Sequence, residues 1–114
     1  MPVVIVAHLI AKPGQEGLVE KVFREAVPEV HAERGCSRYS LHKKKGSDGH
    51  FVMAEKWDSE QDLQAHREGA VMARVGKALG SALDGPPRTW SSSKRSRPEN
   101  QARALSDQRT ARGR

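Results

Sequence analysis

The side chains of this chain that carry acid–base, nucleophilic or metal chemistry are few. Five histidines, His8, His31, His42, His50 and His66, and one cysteine, Cys36, stand among scattered carboxylates. The histidines fall on separate predicted elements, without the spacing of a metal-ligand set. No glycine-rich phosphate loop follows a strand, and no G-x-S-x-G elbow exists. The residues therefore give no support for metal, flavin or nicotinamide chemistry, and no cofactor or metal is expected. His66 is the best candidate for chemistry. It lies in "DLQAHREGAVM" (62–72), three residues after Leu63, so the two share one helical face. If Leu63 points at a core, His66 points inward too. A neutral imidazole there is either a general base or a buried group bonded to a backbone carbonyl.

The other candidates read as structural when taken singly. Trp57 ends an apolar strand face and brings large packing area. His42 shares a strand face with Arg38, and both suit an interface. His8 sits mid-strand in an apolar run and needs a hydrogen-bond partner if buried. Lys43 to Lys45 lead into a solvated turn. Cys36 has no His or second Cys beside it, which fits an inert thiol. A single cysteine excludes an intrachain disulfide and fits a reducing compartment.

These residues need elements to position them. "VVIVAHLIA" (3–11) is β-branched and nearly continuously apolar. As a strand it would have two apolar faces, each needing cover. "KPGQEG" turns into an amphipathic helix over about 15–33. Leu18, Val22, Ala26 and Val30 form one i, i+4 row, with Val19, Phe23 and Val27 beside it. Pro28 should kink this helix and Gly35 should end it. "CSRYSLHKKK" alternates Tyr39 and Leu41 against Arg38, Ser40 and His42. "GSDGH" has hairpin composition. "FVMAEKW" returns with Phe51, Met53, Glu55 and Trp57 on one side. Ser59 and Asp62 suit the start of a short helix that Gly69 interrupts. Val71, Val75, Leu79 and Leu83 fall in register on the next, which "GPP" (85–87) should stop. A last short strand surrounds Trp90. The order β-α-β-β-α-α-β is the split βαβ, ferredoxin-like order. It predicts an α+β fold with an antiparallel sheet and helices on one face.

Composition sets the wider limits. A chain of 114 residues holds one core, and with 36% hydrophobic residues and five aromatics that core is thin enough to gain from oligomerisation. The formal charge of +6 is uneven. Residues 1–92 hold 13 Lys+Arg against 12 Asp+Glu, whereas 93–114 hold 7 against 2. The folded domain is expected over 1–92, followed by a basic, disordered tail. The tail lacks aromatics for base stacking, so a nucleic-acid partner is not expected. The N-terminal apolar run stops at Lys12, short of the roughly 20 residues that span a membrane. It also lacks the basic start of a signal peptide. No membrane partner and a cytoplasmic location are the expectations.

Taken together, "VAHLIAKPGQEG", "AERGCSRYSLHKKK", "HFVMAEKWDSEQDLQAH" and "LGSALDGPP" resemble the antibiotic biosynthesis monooxygenase family over residues 2 to about 90. The resemblance implies a dimeric α+β barrel, with a homodimer formed through the sheet face. Within the family, anthrone-oxygenating members carry a Trp closing strand 3, an Asn, a Tyr and an Arg. Trp57, Met53, Leu63 and Lys77 stand at those positions here. Gly76 and Ala7 stand where haem-degrading members carry His and Asn, so haem oxygenation is not implied. His66 matches the first His of an H-x-x-x-x-H pattern in quinol-monooxygenase and isomerase-like members, and Val71 stands at the second. The resemblance implies a cofactor-independent monooxygenase acting on a quinol, phenolic or anthrone-like small molecule with O₂. His66 would be the base, with Trp57, Arg38, Met53, Leu63 and Lys77 around the substrate. The alternatives are an isomerase of a small hydroxy-ketone, or a non-catalytic dimer that binds a small ligand.

Overall fold

In the computed structural model, which describes residues 2–92, β-branched Val3–Ile10 form the central strand β1. Around it follow α1 (Glu16–His31), β2 (Cys36–Lys43), β3 (His50–Trp57), α2 (Glu60–Glu68), α3 (Ala70–Leu79) and β4 (Arg88–Ser91). The four strands pair antiparallel in the order β2-β3-β1-β4. This is the ferredoxin-like α+β arrangement the element order predicts.

Period-2 alternation decides which side of the sheet is core. Val3, Ile5, Ala7 and Leu9 on β1 are buried, as are Phe51, Met53, Glu55 and Trp57 on β3. All three helices cover this face. Opposite lie Val4, Val6, His8 and Ile10 of β1, with Val4 38% exposed, beside Trp90 of β4, 59% exposed. The second apolar face of β1 is therefore bare in the single chain. His8 lies on it, and its Nδ1 is 2.9 Å from His50 Nε2.

In α1 the core row is Val19, Phe23, Ala26 and Val30, and Leu18 is 40% exposed rather than inward. An i, i+4 row drifts around the axis by about 40° per step, because 3.6 residues complete a turn. Three steps back from Val30 carry Leu18 off the buried stripe. Pro28 lies in the last turn of α1, where its missing N–H deprives only the Arg24 carbonyl of its helical donor.

Helix α3 also differs from expectation. It ends at Leu79, not at 85–87, because Gly80 adopts φ +56° and closes the helix with its N–H on the Gly76 carbonyl. Leu83 therefore leaves the helical row and bridges to Ala11 at the end of β1. No helix among the described residues is long and apolar enough to cross a membrane. The expected tail, 93–114, lies outside the described residues.

Candidate functional site

Two turns meet beside the sheet, and their junction builds the site. One follows α1. There Gly35 takes φ +80°, and its carbonyl accepts the Asp58 N–H at 2.8 Å. The other follows β3, where the Ser59 hydroxyl accepts the Asp62 N–H at 3.1 Å and starts α2. Ser37 also donates to Asp58 across this junction, at 3.0 Å. The first turn carries Glu33, and α2 carries His66 one turn past Leu63. Both Leu63 and His66 are buried.

The imidazole of His66 is enclosed on several sides. Its side chain is 4% exposed. Trp57 stacks on it with ring centroids 4.5 Å apart and planes 30° apart. Tyr39 meets it edge-on at 5.5 Å. Glu33 Oε1 lies 2.7 Å from His66 Nδ1. A carboxylate only accepts, so Nδ1 carries the proton and the Nε2 lone pair is free when the ring is neutral. The partner is thus a carboxylate rather than a backbone carbonyl. Nε2 is 4.0 Å from Oε1 of Glu55.

Glu55 sits on the core face of β3 and is 8% exposed. The Trp57 indole N–H donates to it at 3.0 Å. Burial pushes its carboxyl pKa upward, opposed in turn by that hydrogen bond and by His66 and Arg67. Burial, with Glu55 and Glu33 nearby, also holds the Tyr39 hydroxyl well above its ordinary range. Tyr39 therefore stays protonated at neutral pH, a donor rather than a base. Burial, then Glu33 and Glu55, pushes the Cys36 thiol up as well, which disfavours a reactive thiolate.

Beside His66 a cavity of about 170 Å³ opens between sheet and helices. Its floor is Ile5, Ala7, Leu9 and Met53 from the sheet. Phe23, Tyr39 and Met72 form walls, and Pro87 and Thr89 bound the β4 side. His66, Glu55 and Arg67 supply its ionisable groups. Among the described residues, no three His, Cys, Asp or Glu side chains are placed to hold a metal ion.

The structure brings some of the expected residues together and separates others. His66 and Met53 line the cavity. Trp57 backs the imidazole without lining it. Leu63 is core packing below His66 and also does not line it. Arg38 and Lys77, also expected around a substrate, do not reach this cavity. Both are exposed and stand outside the lining. Arg38 lies on the bare sheet face, because strand alternation turns it opposite to Tyr39. Lys77 lies on the solvent side of α3, two residues beyond buried Val75. The cation at the cavity is Arg67 instead.

Glu33, Glu55, Tyr39 and Met72 also belong to the site and were not among the expected residues. For Glu55 a signal existed, since a carboxylate alternating with Phe51, Met53 and Trp57 must find partners when buried. Nothing local marks Glu33, which lies 33 positions before His66.

The profile of the antibiotic biosynthesis monooxygenase family matches residues 2–78. No curated protein matches the chain. Among solved structures, a Pseudomonas aeruginosa protein is 24% identical with TM-score 0.76, over 83% of this chain and 95% of that one. A Mycobacterium tuberculosis protein is 20% identical with TM-score 0.76, over 86% and 99%. A Caulobacter crescentus protein is 26% identical with TM-score 0.74, over 83% and 91%; its own assignment as an antibiotic biosynthesis monooxygenase is provisional.

Proposed function

The chain belongs to the antibiotic biosynthesis monooxygenase family, and we propose that it oxygenates a small quinol or phenol with O₂, using His66 as the base. The observation that carries this reading is the buried imidazole of His66, held by the half-buried Glu33 carboxylate and lining an apolar cavity. Glu33 fixes the tautomer, so Nε2 is the atom that takes the proton. A substrate hydroxyl within reach of Nε2 and of Glu55 Oε1, which lie 4.0 Å apart, would be held between two groups able to exchange protons. The imidazolium formed would then sit against the Glu33 carboxylate, which stabilises it.

The deprotonated substrate is electron-rich enough to reduce O₂ directly, so the protein need supply only a base and a dry site. An electron passes from phenolate to O₂, and the radical pair combines to a ring-bound peroxide. Loss of water follows. A quinol and O₂ thereby yield a hydroxyquinone and water: one oxygen atom joins the ring and the other leaves as water. The apolar lining keeps bulk water from the intermediates. We further propose a homodimer formed through the bare sheet face, where Val4 and Trp90 are exposed.

The test is oxygen uptake with a panel of quinols and phenols, using ¹⁸O₂ to follow incorporation. Wild type should consume O₂ and label the product, and His66→Ala should fall by about 10² or more. A variant as active as wild type would remove His66 from the mechanism. A second reading follows from the closeness of His66 Nε2 and Glu55. Two proton-transfer groups side by side also suit isomerisation of a hydroxy-ketone, and turnover that continues without O₂ would favour it.

A further inference from the structure

The hydroxyl of Tyr39 is a buried donor with almost nothing to donate to. The residue is 2% exposed, on the core face of β2. Among the described residues, the one bond its hydroxyl makes runs to Met72 Sδ, at 4.0 Å. A thioether is a weak acceptor, and this contact is long. Glu55 stands beside Tyr39 on the neighbouring strand, but the bond it accepts comes from the Trp57 N–H. Glu33 is bonded to His66. Buried hydroxyls are nearly always well bonded, and leaving one short of an acceptor costs stability. Here the shortfall falls at a cavity wall, since Tyr39 and Met72 both line the cavity beside His66. Tyr39 also borders a second depression, with Arg24, Val27 and His31. Met72 is not part of that one, so the hydroxyl end of Tyr39 lies on the His66 side.

The two polar ends at the cavity are set apart by the elements that hold them. His66 Nε2 faces Glu55 on β3, whereas the Tyr39 hydroxyl reaches toward Met72 on α3. The first takes a proton and the second gives a hydrogen bond. With the base reading of His66 as its basis, we infer that Tyr39 is a substrate-binding residue whose O–H donates to a second oxygen of the substrate, so that the site prefers quinols, with two ring oxygens, to phenols with one. One oxygen is held at Nε2 and the other at the Tyr39 hydroxyl, with the ring against the apolar lining between them. A ring held at both ends presents a fixed carbon to O₂. Donation needs the Tyr39 proton, which burial secures, with Glu55 and Glu33 adding to the effect.

Hydroquinone and phenol are the probes, with binding read by calorimetry in the absence of oxygen so that no turnover occurs. Wild type should bind hydroquinone about fivefold or more tighter than phenol. Tyr39→Phe, which removes only the hydroxyl, should lose that preference with phenol binding unchanged. Equal affinity of wild type for the two probes, or a preference kept by folded Tyr39→Phe, would overturn the inference. Tyr39 is the only tyrosine of the chain. Labelling with ¹³Cζ-tyrosine therefore gives one resonance, which reads the hydroxyl in the unaltered protein. It should shift on binding hydroquinone and move much less with phenol. Equal shifts would remove Tyr39 as the donor, whether or not Tyr39→Phe folds. Oxygen uptake separates this inference from the reading beneath it. A hydroquinone preference that depends on Tyr39, with no O₂ uptake, sinks the oxygenase reading and leaves the donor. O₂ uptake by wild type, with Tyr39→Phe binding both probes as wild type does, has the reverse effect. Failure of both probes to bind wild type sinks both.

Discussion

At the scale of single residues, the site depends on which proton each group holds. Glu33 touches the imidazole and not the cavity, so it is a positioning residue. Glu33→Gln should lower kcat by about tenfold or more with KM little changed, because the tautomer and orientation of His66 are then less well held. A Glu33→Gln enzyme with wild-type kcat would show that the pair is only structural. Glu55 supports a prediction about stability. Its carboxyl pKa in the folded protein lies above the ordinary 4.5, chiefly through burial. The folded state therefore binds this proton more tightly than the unfolded chain. Stability from the group is full below the unfolded value, falls as pH rises through the interval up to the folded value, and is lost above it. Glu55→Gln removes the charge yet can still accept the Trp57 N–H. Its Tm should exceed that of wild type at pH 7, and the difference should shrink toward pH 4. A constant difference across that range would show that ionisation of Glu55 is not the cause.

At the scale of elements, the joint between the α1–β2 turn and the start of α2 decides whether Glu33 meets His66. Gly35 is its tightest point. Its φ is +80°, and a Cβ built there would overlap the Asp62 side chain in the first turn of α2. Gly35→Ala should lose about 1–2 kcal/mol from backbone conformation alone, and more from displacing Asp62. Urea denaturation measures the loss. Activity should fall alongside, since α2 carries His66. A variant as stable as wild type would mean that the turn can relax without moving α2. The elements were largely legible in the sequence, because hydrophobic period and punctuation set them locally. Ser59 caps α2 and Gly69 divides α2 from α3 as expected. The two departures from the expected pattern have different causes. Leu18 is carried off the buried stripe of α1 by helical drift, and α3 stops before 85–87 because Gly80 reaches positive φ first.

At the scale of the whole molecule, the proposed homodimer concerns the bare face of the sheet. A second copy would cover Val4 and Trp90 on both chains at once. Light scattering should give a dimeric mass at micromolar concentration, and Trp90→Lys should shift it toward the monomer. A monomeric wild type would defeat the interface. The chain's own pattern determined the element order, the antiparallel sheet, the inward turn of His66 and the apolar second face of β1. Each follows from spacing within a few residues of one element. Only the tertiary structure decided that the partner of His66 is Glu33, that Glu55 stands opposite with Trp57 bonded to it, and that Arg38 and Lys77 point away while Arg67 and Met72 border the cavity. Those contacts join residues far apart in the chain, and no local period encodes the distance between two turns. By sequence alone His66 is either a base or a packed side chain. The sequence placed it on the inner face, and the fold supplied the carboxylate that leaves Nε2 free.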